Sequence, residues 1–239
     1  MPNLKQGSAV ISYSIRRSLR AKYVSISVGT DGVQVVAPVS MEDNEIIQLV
    51  ENKREWIFHK VEGLQLTPVR AEREYISGEK LLLMGESYPI KVLEHEGRSC
   101  NINFTDDHFL ITVSKDIPQE TRKEAIRLKL EQWYIDRAKK LIHERLELFT
   151  DKISVKVNMV RFKNQKTRWG SCSQKGNLNF NWKLVMAPTP IVDYVVVHEL
   201  CHLRQMNHSK KFWQLVESQI SDYKERRKWL KNNGVILNL

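Results

Sequence analysis

This chain of 239 residues is short of long apolar runs, of cysteine and of low-complexity sequence. No stretch approaches the roughly 18 apolar residues that cross a bilayer as a helix, so neither a transmembrane helix nor a membrane partner is expected. Cysteines number 3, an odd count at wide spacing, which argues against a disulfide framework and for a reducing cytoplasm. The opening residues Met1-Pro2-Asn3-Leu4-Lys5-Gln6-Gly7 lack the apolar core of a secretory leader. No internal repeat and no long linker is expected.

What is present suits a soluble globular protein, with 41% hydrophobic and 28% charged residues. Acidic residues are outnumbered, 28 against 38 Lys and Arg, for a net charge of +10. The imbalance is local. Residues 1–115 hold 14 basic and 15 acidic side chains, and residues 116–239 hold 24 and 13. A basic second half is either a solvated surface or an attraction to nucleic acid, another polyanion or an acidic substrate.

Along the chain, alternating apolar residues predict strands over 10–15, 24–28 and 33–36, with Gly29-Thr30-Asp31-Gly32 as a hairpin turn. Ser40 and Asp43 read as a capping box opening a helix through about Glu62. Strands are predicted again over 81–84, 88–93, 102–104 and 109–113. Asp116-Ile117-Pro118 then starts a long amphipathic helix to about Phe149, with Ile126, Leu130, Tyr134, Ile142 and Leu146 on its apolar stripe. Strands over 155–162 and 178–184 follow. The expected organisation is an N-terminal β-rich antiparallel region with one helix, 1–115, and a second domain, 116–239.

The second domain contains His198-Glu199-Leu200-Cys201-His202, with His208 beyond it. Chance placement of 7 His and 19 Glu would give H-E-x-x-H about 0.016 times per chain. On a helix, residues four apart share a face, so His198 and His202 can reach one metal ion while Glu199 adjoins it. The helix is signalled by Thr189 as a cap, Pro190 in the first turn and Asp193 near the positive end of the dipole; Val195-Val196-Val197 argues weakly for a strand instead. Asn207 reads as its C-cap and Ser209 as the cap of a further helix from Lys210 to about Ile220. His208 is favoured as third ligand, because a third neutral imidazole suits zinc; Glu217, on that further helix, is the rival. Cys201 falls on a different helix face and reads as a small buried apolar residue.

Beyond this motif, Arg161, Gln165, Arg168-Trp169-Gly170-Ser171-Cys172, the 177–182 strand, Val195 to His202, Asn207-His208-Ser209 and Phe212-Trp213 resemble the YgjP-like metallopeptidases, relatives of the SprT-like and WLM zinc proteases. The resemblance spans about residues 10–232. It implies an α+β fold with a minimal zincin in the second half: long helix, small mixed sheet and metal helix in series. It also implies His198, His202 and His208 as zinc ligands and Glu199 as the catalytic base.

The chemistry expected is hydrolysis of a peptide or protein substrate, with Zn2+ as cofactor and Glu199 moving the proton. Arg168, Arg161 or Tyr194 can stabilise the oxyanion, and no spacing rule selects one; Arg168 can equally be a strand residue against an aromatic ring. Two other readings stay open. Arg161, Lys163, Lys166 and Arg168 around a metal would suit a nucleotide pyrophosphatase, and a basic half docked on DNA would suit a nucleic-acid-associated protease.

Overall fold

The structure, a computed structural model, describes residues 2–7, 9–29, 32–65, 73–165 and 167–239. Thr30 and Asp31 of the expected hairpin turn, and Lys166, lie outside the described residues. The fold is α+β, with six α-helices and several small sheets among the described residues. It divides into two compact units, Met1–Glu72 and Arg73–Leu239. The division expected after residue 115 falls within the second unit, where Phe109, Ile111 and Val113 share one core with Ile126, Leu130 and Tyr134.

The first unit holds β1 (Asn3–Gln6), β2 (Ala9–Ser18), β3 (Ser25–Gly29) and β4 (Gly32–Pro38), followed by α1 (Asp43–Glu51) and α2 (Arg54–Gln65). Its sheet runs β1-β2-β4-β3. The expectation of an antiparallel region is corrected here. β3 pairs antiparallel with β4, so β4 returns beside β2 in β2's own direction, and the β2–β4 pair is parallel. Leu4, Tyr13, Val33, Val35 and Ala37 meet Ile46, Val50 and Ile57 of the helices in a small core. The expected single helix is two, and Glu42 rather than Ser40 occupies the cap, its amide donating to Glu45 Oε2 at 3.2 Å.

The second unit opens with β5 (Lys80–Leu83), β6 (Glu86–His95), β7 (Cys100–Phe104) and β8 (Phe109–Ser114), in the order β5-β6-β8-β7. This repeats the first sheet. β1–β2 and β5–β6 are antiparallel, β2–β4 and β6–β8 parallel, β4–β3 and β8–β7 antiparallel. The registers also match. Asn3↔Ser12 through Gln6↔Ala9 recur as Lys80↔Pro89 through Leu83↔Glu86, and Tyr13↔Val33 recurs as Ile90↔Phe109. Buried positions correspond: Leu4 with Leu81, Tyr13 with Ile90, Val33 with Phe109, Val35 with Ile111, Ala37 with Val113. The turns agree too, with left-handed backbone at Gly7 (φ 59°) and Met84 (φ 52°). The expectation of no internal repeat is thereby corrected: the chain carries one four-stranded module twice.

α3 (Gln119–Ile153) follows and buries Ile126, Leu130, Tyr134, Ala138 and Ile142 along one stripe, as the sequence pattern predicts. Next come β9 (Met159–Lys163), β10 (Gly170–Cys172) and β11 (Asn177–Asn181), a mixed sheet in the order β10-β11-β9. The expected strand to residue 184 stops at Asn181, whose Oδ1 accepts from the Lys183 amide at 3.1 Å and starts a 3-10 turn, Trp182–Met186. α4 (Thr189–His202), α5 (Lys210–Gln219) and α6 (Tyr223–Asn233) complete the unit. α6 had no counterpart in the sequence reading.

α4 is helical despite Val195-Val196-Val197, because all three are buried in the core. Tertiary burial overrides the β-branched preference. Pro188, not Thr189, holds the cap position, and Leu203, not Asn207, ends the helix. Ser209 does occupy the cap position of α5, although its side chain makes no capping bond. Arg145 of α3 clamps Asp193 of α4 through paired bonds of 2.5 and 2.9 Å. The turn before β6 also holds this region: the Met84 and Gly85 amides donate to Val185 O and Met186 O at 2.8 and 3.0 Å.

Candidate metal centre

α4 carries His198 and His202 one turn apart, with Glu199 next to His198, on a helix fixed by burial on most of its sides. The turn after α4 brings back His208 immediately before α5. Ligand-capable nitrogens of the three histidines lie within 4.8 Å of one another, and His198 Nε2 is 3.1 Å from His208 Nε2. His202 Nδ1 faces Gln205 O at 3.1 Å, which leaves its Nε2 for the shared space. Burial pulls His198 down to about 3, with His202 and His208 acting in the same direction, so this ring is neutral near pH 7. Three imidazole nitrogens around one space fit a divalent ion with nitrogen preference.

Neither Cys172 nor Cys201 joins this set, and Cys201 is fully buried. Glu217, the rival third ligand, is exposed on α5 and also lies outside it. Phe212 stacks on His202 with centroids 4.5 Å apart, and Trp213 stacks on His208 at 5.6 Å. These α5 rings fix the planes of two imidazoles.

Glu199 is 4% exposed, and its Oε2 has no hydrogen-bond partner among the described residues. Burial pushes its carboxyl up to about 8, opposed by the charge of Arg168. A proton acceptor tuned near neutrality is what water activation requires. β10 lies against this carboxylate. A Cβ on Gly170 would stand 2.6 Å from Glu199 Oε1, so only glycine lets the strand approach so closely.

Arg168, Gly170, Ser171, Cys172 and Met206 line the cleft of about 400 Å³ together with the three histidines and Glu199. Of the expected oxyanion partners, Arg168 is therefore in the cleft. Arg161 is not. It sits on β9, across β11 from β10, with Nε 3.1 Å from Met159 Sδ. Lys163 shares that strand, so the cationic set required by the pyrophosphatase reading is dispersed. Tyr194 lies one turn before His198 on α4, ring centroids 5.9 Å apart, and burial pushes its hydroxyl up to about 12.

Two contributors escaped the sequence reading. Arg227 of α6 lies 5.0 Å over the Trp213 ring, and its charge acts on both His198 and Tyr194. Nothing in its spacing from the motif could reveal it, because the link passes through Trp213. Asn181 is buried and donates through Nδ2 to Gln165 O at 2.8 Å and Arg168 O at 3.4 Å, holding the loop that presents Arg168. No strand was predicted around Gly170, so the close approach of β10 to Glu199 shows only in the structure.

A family model described as "YgjP-like, metallopeptidase domain" matches residues 22–233. No curated protein matches the chain. Among solved structures, the chain is similar to the metallopeptidase zymogen abylysin of Pyrococcus abyssi, at 26% identity over 38% of this chain and 93% of that one, with a TM-score of 0.35. It is also similar to the zymogen jannalysin of Methanocaldococcus jannaschii, at 19% identity over 38% and 94%, with a TM-score of 0.34. Since the family model covers the histidine cluster, the buried glutamate, the glycine strand and most of the chain before them, this protein belongs to the YgjP-like family of metallopeptidases.

Proposed function

We propose that the protein is a zinc-dependent peptidase in which His198, His202 and His208 hold the ion and Glu199 is the general base. The observation that carries this reading is the convergence of three imidazole nitrogens beside a buried carboxylate whose Oε2 has no hydrogen-bond partner among the described residues. Bound zinc would supply Lewis acidity to the scissile carbonyl and to the attacking water. Glu199 takes the proton from water on its carboxylate and delivers it to the departing amine. Arg168, on the cleft wall, faces the negative charge that develops on the carbonyl oxygen. Gly170 keeps β10 close enough for an extended substrate to pair with its edge. A peptide or protein segment is the substrate class these features suit, and a cytoplasmic location agrees with three unpaired cysteines.

Elemental analysis and peptide turnover test the assignment together. Wild type is expected to hold one zinc per chain, and His208→Ala to lose most of it. Glu199→Gln should keep the zinc while its kcat falls by about 10²–10⁴-fold. Full zinc content in His208→Ala removes that ligand, and near-normal turnover in Glu199→Gln removes the base.

A further inference from the structure

The repeated module has a groove in each copy, between the edge strand and the helix that follows the sheet. In the second copy it lies beside β7 and α3, and Asn101, Asn103, Lys129, Gln132 and Asp136 make it polar. Its tryptophan, Trp133, packs edge-on against Phe109 at 5.1 Å and Tyr134 at 5.2 Å. In the first copy the groove, about 560 Å³, lies beside β3 and is floored by Ile26, Leu49 and Trp56. Leu49 is 42% exposed, Trp56 43% and the bordering Tyr23 82%. Strand order and register are the same in both copies, so the scaffold does not demand this apolar lining. An exposed apolar patch that the fold does not require marks a binding surface.

We propose that the groove beside β3 binds an extended segment of a partner protein, one that alternates apolar and acidic residues. Among the described residues, β3 is a terminal strand of its sheet and pairs only with β4. An incoming strand can hydrogen-bond along the free edge while alternate side chains enter the groove, the arrangement known as β-augmentation. Among the described residues of the lining, Lys22 and Lys53 carry charge and none is a carboxylate. Neighbouring acids are already engaged: Asp43 with Arg17, and Glu51 with Arg54. Charge complementarity therefore selects an acidic partner. With Lys22 and Lys53 as the cations of the lining, the groove favours a peptide over a single-stranded nucleic acid, which needs a stripe of cations along its backbone as well as aromatic rings. The inference is independent of the metal chemistry.

The test uses the full chain in a Glu199→Gln background, so that the probe stays intact, and a short fluorescein-labelled peptide alternating Val or Leu with Asp. Fluorescence anisotropy should show saturable binding. Trp56→Ala and Lys53→Glu should each weaken it by about tenfold without changing the melting temperature, since both side chains are exposed. A probe with Lys in place of Asp should bind at least about tenfold more weakly, and methylation of alternate backbone amides should weaken it similarly. No saturable binding by the acidic probe overturns the proposal, as does unchanged affinity in Trp56→Ala. So does oligothymidylate binding that the same variants abolish, which would make the groove a nucleic-acid site. A doubled mass in light scattering that Trp56→Ala removes would make it a self-association surface and overturns the proposal equally.

Discussion

β1–β4 and β5–β8 repeat one topology, but their matching buried positions differ in size: Val33 against Phe109, Ala37 against Val113. The first copy closes a small core with two short helices. The second shares its core with α3 and α4, and so with the helix that carries His198 and His202. Phe109 meets Trp133 and Tyr134, and the Tyr134 hydroxyl donates to Leu82 O at 2.7 Å. One scaffold is thus used twice, once as a support for the helix that carries His198 and His202 and once with its groove left apolar and open. Phe109 and Val113 are the larger members of their pairs and lie in the core shared with α3, whereas Tyr13, the larger of its pair with Ile90, lies in the small core of the first copy.

Truncation at a matching pair offers the strongest way to break this comparison. Phe109→Ala should cost about 3–5 kcal/mol and reduce zinc retention, because the void opens between the sheet and α3. Val33→Ala, at the equivalent register position, should cost less, about 1–3 kcal/mol, and leave zinc content unchanged. Urea unfolding with metal analysis decides it. Equal zinc loss in both variants would mean the two cores do not differ as described.

A smaller effect separates the metal centre from everything around it. In metal-free protein Glu199 keeps its proton up to about pH 8, against an ordinary value of 4.5. Between those values the native state binds a proton that the unfolded chain has released, so stability falls as pH rises. His198 acts oppositely and lower: pulled to about 3 from 6.5, it makes stability fall as pH drops below 6.5. Above pH 6.5 the slope belongs to Glu199, amounting to about 2 kcal/mol by pH 8. Urea titrations of chelator-treated protein should show it, and Glu199→Gln should flatten it. A slope that survives the substitution would place the buried charge elsewhere.

The convergence of the histidines was the most legible part of the sequence because its geometry is local. Spacing by one helical turn brings His198 and His202 together wherever a helix forms, and the long stripe of α3 declares itself by period alone. The repeat was invisible for the opposite reason. Its identity lies in pairing, β2 beside β4 and β6 beside β8, and strands read singly do not say which neighbour they choose. The side chains differ while the register agrees: Tyr13 stands at the position of Ile90, and Gly7 at that of Met84. Arg227 was hidden similarly, since only the packing of α6 on Trp213 brings it to the histidines.

The turns between the first two strands of each copy give the smallest contrast. Gly7 has φ 59° and open space where a side chain would project. Gly85 has φ 93°, and a Cβ there would lie 2.7 Å from Pro188 Cγ, at the cap of α4. Alanine at either site incurs left-handed strain of about 1–2 kcal/mol. Only at Gly85 must the cap of the metal helix also move, and its amide must hold its bond to Met186 O while that happens. Gly85→Ala should therefore lose about 1 kcal/mol more than Gly7→Ala. It alone should weaken zinc retention, because Pro188 begins the helix that aims His198. Thermal melts paired with zinc release to a chromogenic chelator measure both quantities. Equal losses in the two variants would leave the second module packed beside the metal helix without governing where that helix starts.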